Sequence, residues 1–287
     1  MKSVKEFSWS SPDGKEIYAV EWPNEHARAV IGLIHGIGEH ARRYDHMAEY
    51  LTAAGFGMVG YDRVGYGRSG GKRGYVADYS HYYDGIAQLI IECERLYPDL
   101  PVFLYGHSMG GNLVLNYIIK RHPKVAGVIA SAPYIKLPFK VNPVLIAVGR
   151  LMRNIYPAFS VTNELDTTKL SRSSDIEESY ANDPHVHSTV SSRVGVDLMK
   201  AAEQLDQFSG YIELPLLIMH GTDDGLTSHD ASQAFLNRLE GEDISMKSWP
   251  GLYHELHNEP EQKEVFGYVQ AWIEKRLVES HRALKSV

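Results

Sequence analysis

The sequence predicts an α/β fold in which strands of a parallel sheet alternate with helices, interrupted once by a helical insertion. Three observations carry that prediction. Short, nearly continuous apolar runs recur at residues 29–36, 57–62, 101–106 and 125–131, the pattern of strands buried on both faces of a parallel sheet. Helical stretches lie between them, near 41–54, 80–97 and 109–121, so strand and helix alternate as in doubly wound sheets. From about 136 to 206 that rhythm stops, and it resumes with LPLLIMHG at 214–221.

Taken in chain order, KEFSW (5–9) and EIYAVEW (16–22) alternate about the turn residues Ser11-Pro12-Asp13-Gly14 and predict a hairpin. The strand–helix units follow. Then VNPVLIAVGRLMRNIY (141–156) sets Val144, Leu145, Val148, Leu151, Met152 and Ile155 at helical spacing. A polar, Ser-rich stretch and a second helical segment near 192–206 come next, with no strand signal, so the insertion is expected to be all helical. The chain closes with a helix near 229–240, the strand ISMKSWP (244–250) and a helix near 260–282. The predicted division is a core of residues 1–135 and 207–287 and a cap of residues 136–206. Such a cap would lie over the carboxyl ends of the strands, where ligand crevices form in open α/β sheets.

Composition sets bounds. The chain has 287 residues, 44% hydrophobic and 23% charged, ordinary for a soluble globular protein. A net charge of −7, from 36 acidic against 29 basic side chains, argues against a nucleic-acid partner. The one cysteine, Cys93, excludes an intrachain disulfide framework or a multi-cysteine metal cluster and reads as a small residue on an apolar helix face. The N-terminal MKSVKEFSWSSPDGKE has no apolar core of a secretory signal, and no run of ~18 apolar residues predicts a membrane span. The expected location is cytoplasmic, with peripheral membrane contact as the remaining option.

The chemistry centres on Gly106-His107-Ser108-Met109-Gly110. The pentapeptide G-x-S-x-G is weak by itself, but here the apolar strand PVFLY leads in and a helix leads out. That is the arrangement of a nucleophile elbow, which projects a serine at the top of a strand. A serine hydroxyl needs a base, and in this architecture the order is Ser, then Asp or Glu, then His. The loop after 214–221 offers Asp223 and Asp224, and the loop after 244–250 offers His254 and His257. Asp224 and His254 are the preferred pair, with His254 as general base and Asp224 orienting its imidazole. The oxyanion donors expected are the backbone N–H groups of Met109 and of Ile37, the latter in the loop His35-Gly36-Ile37-Gly38-Glu39-His40. His35 itself reads as structural.

Five tracts, HGIGEHARRY, GYDRVGYGRSGG, GHSMGG, HGTDD and GLYHELHNE, together resemble the monoacylglycerol lipase and lysophospholipase-like serine hydrolases, from about residue 5 to 277. The resemblance implies the α/β-hydrolase fold, with a mostly parallel eight-stranded sheet, helices on both faces and a helical cap. It implies cofactor-independent hydrolysis of a small lipid ester, a monoacylglycerol first, with lysophospholipase or broad carboxylesterase activity as the alternative. It also implies that Glu39, Arg43, Tyr180 and His257 surround the glycerol head group. Thr227 stands where mammalian relatives carry a cysteine.

Other signals point elsewhere and carry less. Gly65-Tyr66-Gly67-Arg68-Ser69-Gly70 is a literal G-x-G-x-x-G, yet GKRGYVADYS after it reads as a loop rather than the helix a dinucleotide site needs. Gly71-Lys72-Arg73 lacks the rest of a Walker motif. His185 and His187 have no partner in a metal-binding spacing, so neither a metal nor a cofactor is expected. The apolar face of 141–156 either packs on the core or touches a lipid surface; Lys136, Lys140, Arg150 and Arg153 are too few for strong attachment to anionic lipid. Oligomeric state leaves no mark on the sequence.

Overall fold

The computed structural model describes residues 4–163 and 165–285, with side chains as far as residue 279. The predicted hairpin is β1 (Lys5–Ser10) paired antiparallel with β2 (Glu16–Trp22). The four apolar runs become β3 (Val30–Ile34), β4 (Gly57–Tyr61), β5 (Val102–His107) and β6 (Gly127–Ser131). Between them lie α1 (Asp45–Ala53), α2 (His81–Leu96) and α3 (Met109–Arg121).

The stretch expected to be all helical is not. It holds α4 (Pro143–Ile155), α5 (Ser174–Asn182) and α6 (Ser192–Gln207), but also an antiparallel pair, β7 (Ser160–Thr162) with β8 (Thr189–Ser191). Three-residue strands with a single valine each are too short for their alternation to be a signal, and their pairing depends on residues 27 or more positions apart. The chain then forms β9 (Gly210–Tyr211), β10 (Leu216–Gly221), α7 (His229–Leu236), β11 (Leu239–Glu240), β12 (Ile244–Trp249) and α8 (Gln262–Lys285).

The main sheet runs β1-β2-β4-β3-β5-β6-β10-β12. It is antiparallel through β1, β2 and β4 and parallel from β4 to β12. Successive residues of β3 serve opposite faces: Val30 and Ile34 pack in one apolar layer, Ile31 and Leu33 in the other, as the period of two requires. The first layer draws on α2, α3, α6 and α7 through Ile86, Leu113, Leu198 and Phe235, the second on α1 and α8 through Leu51 and Phe266. Cys93 is buried in the first layer. From β3 the chain turns first to β4 on one side and later to β5 on the other. Strand order therefore reverses at β3/β5, where open α/β sheets form their crevice.

Helix α4 departs from simple core packing. Asn142 caps it, its side chain accepting from the Val144 N–H at 2.9 Å, and Pro143 opens its first turn. Yet Val144, Leu145, Val148, Leu151 and Ile155 are all exposed, Ile155 at 69%. Its polar side is tied to α6 by Arg153, which donates to both oxygens of Asp197 at 2.7 and 3.0 Å.

Candidate active site

Ser108 follows β5 directly and caps α3 with φ 53° and ψ −115°. The turn is tight because its neighbours lack side chains: a Cβ on Gly106 would strike the carbonyl of Gly110, and one on Gly110 would strike that of Ile34. The Ser108 N–H donates to the Ser131 carbonyl at 2.9 Å, anchoring the turn to β6. Ser108 Oγ lies 2.9 Å from His254 Nε2, and His254 Nδ1 lies 2.7 Å from Asp224 Oδ2. All three side chains are buried.

The sequence left two acids and two histidines open, and geometry separates them. Asp223 accepts from the Thr222 hydroxyl at 2.9 Å and is exposed, whereas Asp224 faces the imidazole. Asp224 Oδ1 accepts the backbone N–H groups of Leu226 and Thr227 at 2.8 and 2.9 Å, and its Oδ2 faces the Thr227 hydroxyl at 2.9 Å and His220 Nε2 at 3.0 Å. His257 stacks on Tyr44 with ring centroids 4.3 Å apart and meets the His107 ring edge-on at 4.9 Å, away from the serine.

The loop after β3 lies against this turn, since a Cβ on Gly110 would also meet the His35 carbonyl and one on Gly36 would meet His107. Met109 is the first residue of α3, where backbone N–H groups have no intrahelical acceptor. Ile37 lines a cavity of about 60 Å³ with Gly38, Leu165, Tyr180, His187 and Val190. His187 fastens the 180s segment to this loop, its N–H donating to the Gly38 carbonyl at 2.9 Å. Arg43 is the hub of the remaining candidates. It donates to Glu39 at 2.8 Å and to both oxygens of Glu255 at 2.6 and 2.8 Å, and its guanidinium lies 4.7 Å from the Tyr180 ring centre. Glu39 also accepts from the Tyr44 hydroxyl at 2.8 Å and from the Gly36 N–H.

Residues 25–261 match the family described as serine aminopeptidase, S33. The chain belongs to this family. It is 35% identical to a monoacylglycerol lipase of Mycolicibacterium smegmatis over 91% of this chain and 93% of that protein. It is 31% identical to phospholipase YtpA of Bacillus subtilis over 89% of this chain and 99% of that one. Among solved structures, the monoacylglycerol lipase of Paleococcus ferrophilus superposes with a TM-score of 0.83 at 31% identity, covering 91% of this chain and 99% of that one. The fold is the α/β-hydrolase fold.

The electrostatics of this S33 serine hydrolase follow from burial and charge pairing. Burial opposes a charge on His254, but the Asp224 carboxylate outweighs it and raises the imidazole pKa above its usual value. Burial likewise opposes ionisation of Asp224, and His254 and His220 overcome it, holding the carboxyl far below the usual range. Burial pushes His107 down to about 3 and His257 well below the histidine range, so both are neutral. Burial raises Glu39 despite Arg43, whereas Arg43 overcomes burial at Glu255 and keeps it ionised.

Glu39, Glu255 and His257 present ligand atoms within 4.8 Å of one another, the spacing of a metal site. Here the Arg43 guanidinium already bridges the two carboxylates, placing a fixed positive charge where a cation would bind.

Sequence reasoning missed His220, Thr227 as a partner of Asp224, and Glu255. The signals were present: His220 is the first residue of H-G-x-x-D, and Glu255 follows His254 directly. What was missing was the conformation of the loop after β10, which folds Asp224 back onto His220 and Thr227, and the long-range packing that brings Glu255 to Arg43.

Proposed function

We propose that this chain is a serine ester hydrolase that cleaves monoacylglycerols to fatty acid and glycerol through an acyl-enzyme on Ser108. The observation that carries the reading is the continuous Ser108–His254–Asp224 hydrogen-bond chain at a helix N-terminus. In this reading Ser108 Oγ attacks the ester carbonyl carbon while His254 Nε2 takes its proton. The carbonyl oxygen becomes an oxyanion facing the N–H groups of Ile37 and Met109. His254 returns the proton to the departing glycerol oxygen, then activates a water that cleaves the acyl-enzyme and restores Ser108. The monoacylglycerol lipases among the relatives, at 35% identity in one case, support the choice of substrate.

Residues 136–206 act as the cap in this reading. Glu39, Arg43, Tyr180 and His257 form the head-group wall: Tyr180 contributes its ring beside Ile37, while Glu39 and Arg43 hold that wall rigid through Glu255. No described helix is long and apolar enough to cross a membrane. The exposed apolar face of α4 supports transient contact of the cap with a membrane or micelle.

Ser108→Ala tests the reading. It should abolish both ester turnover and fluorophosphonate labelling while leaving the circular dichroism spectrum intact. Labelling that survives at another serine sinks the assignment. The phospholipase among the relatives supports a second reading with the same machinery. A panel of monoacylglycerol, lysophosphatidylcholine and p-nitrophenyl esters decides between them, and a dominant lysophospholipid rate favours the second.

A further inference from the structure

Asp62 and Arg63 follow β4 directly, in the tract GYDRVGYGRSGG. Arg63 is fully buried, among the largest side chains in the molecule with no exposure. One guanidinium nitrogen, Nη1, donates to the His35 carbonyl; the other, Nη2, donates to the Gly36 carbonyl at 2.6 Å and lies 3.8 Å from Met109 Sδ. Its carbon sits 4.9 and 5.7 Å from the ring centres of Tyr66 and Tyr82. Its backbone N–H donates to His35 Nε2 at 3.1 Å, and the opposite ring nitrogen meets the Gly36 carbonyl at 2.8 Å. That pattern fixes the neutral His35 tautomer with the proton on Nδ1.

Two features of this arrangement are unusual. Buried charges are as a rule paired with an opposite charge, yet among the described residues no carboxylate forms an ion pair with Arg63. Aromatic faces and carbonyl dipoles are what it meets instead. The second feature is which carbonyl it holds. The Gly36 C=O and the Ile37 N–H belong to one peptide plane, so fixing the oxygen fixes the direction of the N–H. A hydrogen bond to that oxygen also polarises the amide and strengthens its N–H as a donor.

We propose that Arg63 is a positioning residue for the oxyanion hole. It orients and polarises the Gly36–Ile37 peptide from below, and its unneutralised charge favours the oxyanion that forms beside Met109. Glu39 completes the clamp by accepting the Gly36 N–H, so both ends of Gly36 are held. The inference rests on the reading of Ile37 and Met109 as oxyanion donors. It gives the buried charge its opposite partner only when the tetrahedral intermediate appears, the condition under which a fixed dipole or charge accelerates a reaction.

The test uses the whole protein with Arg63→Lys and Arg63→Met. Lysine keeps the charge but, as a compact ammonium, does not reproduce the planar two-pronged contact; methionine removes both. Thermal unfolding establishes that each variant folds. On p-nitrophenyl butyrate, kcat should fall roughly tenfold or more in the lysine variant and roughly a hundredfold or more in the methionine variant. KM should stay within about twofold, the pattern of an interaction made in the transition state. Affinity for a trifluoromethyl ketone, which forms a tetrahedral adduct on serine, should fall by the same factor as kcat/KM.

A folded variant whose kcat holds, or one that loses kcat while keeping trifluoromethyl ketone affinity, overturns the proposal. If Arg63→Met does not fold, Arg63→Lys carries the test. If neither folds, Arg63 is a residue of the core and the proposal falls. Failure of the serine-hydrolase reading is separately visible, because it leaves labelling and turnover in Ser108→Ala, whereas failure of the oxyanion-hole reading leaves trifluoromethyl ketone affinity unchanged in the Arg63 variants.

Discussion

His220 and His254 meet on a single atom: Asp224 Oδ2 lies 3.0 Å from Nε2 of the first and 2.7 Å from Nδ1 of the second. The two imidazoles are not equivalent. Burial lowers the pKa of His220, against its hydrogen bond to Asp224, and keeps it a neutral donor, its other nitrogen facing the Ser232 hydroxyl at 2.9 Å. His254 goes the other way, because burial there is outweighed by the carboxylate. One aspartate thus serves a fixed strut and a group able to accept a proton.

The pH dependence follows from that asymmetry. The base form of His254 is the neutral one, so kcat/KM should fall as pH drops through a pKa above the ordinary histidine value of ~6.5. In Asp224→Asn the carboxylate's attraction is gone and burial outweighs the weaker pull of Glu255 and Glu39, so the acid limb moves to lower pH. The maximal rate should drop by about 10⁴-fold as the tautomer is lost. pH–rate profiles of both proteins check this, and an acid limb that does not move contradicts it.

His220→Phe should chiefly cost stability. It removes one hydrogen bond to a buried ionised carboxylate, worth about 1.5–3 kcal/mol. Asp224 retains its two backbone donors and Thr227. Urea unfolding at neutral pH measures the change, and a shift below ~0.5 kcal/mol would place His220 outside the network.

Arg43→Met strands two buried carboxylates side by side. Breaking a buried pair from one side costs about 3–5 kcal/mol. In the native protein Glu255 has a depressed pKa, so its stabilising contribution is present above the unfolded carboxylate value and is lost as pH falls. Without Arg43 its folded pKa rises instead, and acid relieves the variant by protonation. The stability gap between the two proteins should therefore be widest near pH 7 and narrow toward pH 4. Denaturation at both pH values reads it, and a gap that is independent of pH excludes the ionic explanation.

The face of α4 gives a prediction that separates binding from chemistry. Leu145, Leu151 and Ile155 are 64%, 57% and 69% exposed, so replacing them with Glu removes little internal packing. Turnover of monoacylglycerol presented in vesicles should fall about tenfold or more, since fully burying each of these side chains is worth about 1.5–3 kcal/mol. Turnover of a water-soluble p-nitrophenyl ester should hold. Equal loss on both substrates would mean that the helix supports the site rather than the surface.

How much of this was legible depends on where the information sits. Strands β3 to β6 were readable because both faces are buried and the apolar run is continuous. Ser108 and Asp224 were readable because each lies just beyond such a strand, and His254 because it lies in the loop after the less buried β12. The β7/β8 pair was not, since three residues a strand are too few for their alternation to stand out. For α4 the apolar stripe was plain, but whether it met protein or solvent was not, because periodicity records a face and not its neighbour. Arg63 marks the same limit: its position beneath Gly36 arises from β4 lying beside β3, a relation that no local window contains.

Ser108 sits at φ 53° and ψ −115°, territory that glycine enters freely and other residues at a cost of about 1–3 kcal/mol. Glycine at this position would relax the turn and erase the hydroxyl in the same step. Thermodynamic advantage and chemistry therefore pull in opposite directions at one residue. A fold optimised for endurance alone would discard this side chain, and the strain it tolerates is a record of use.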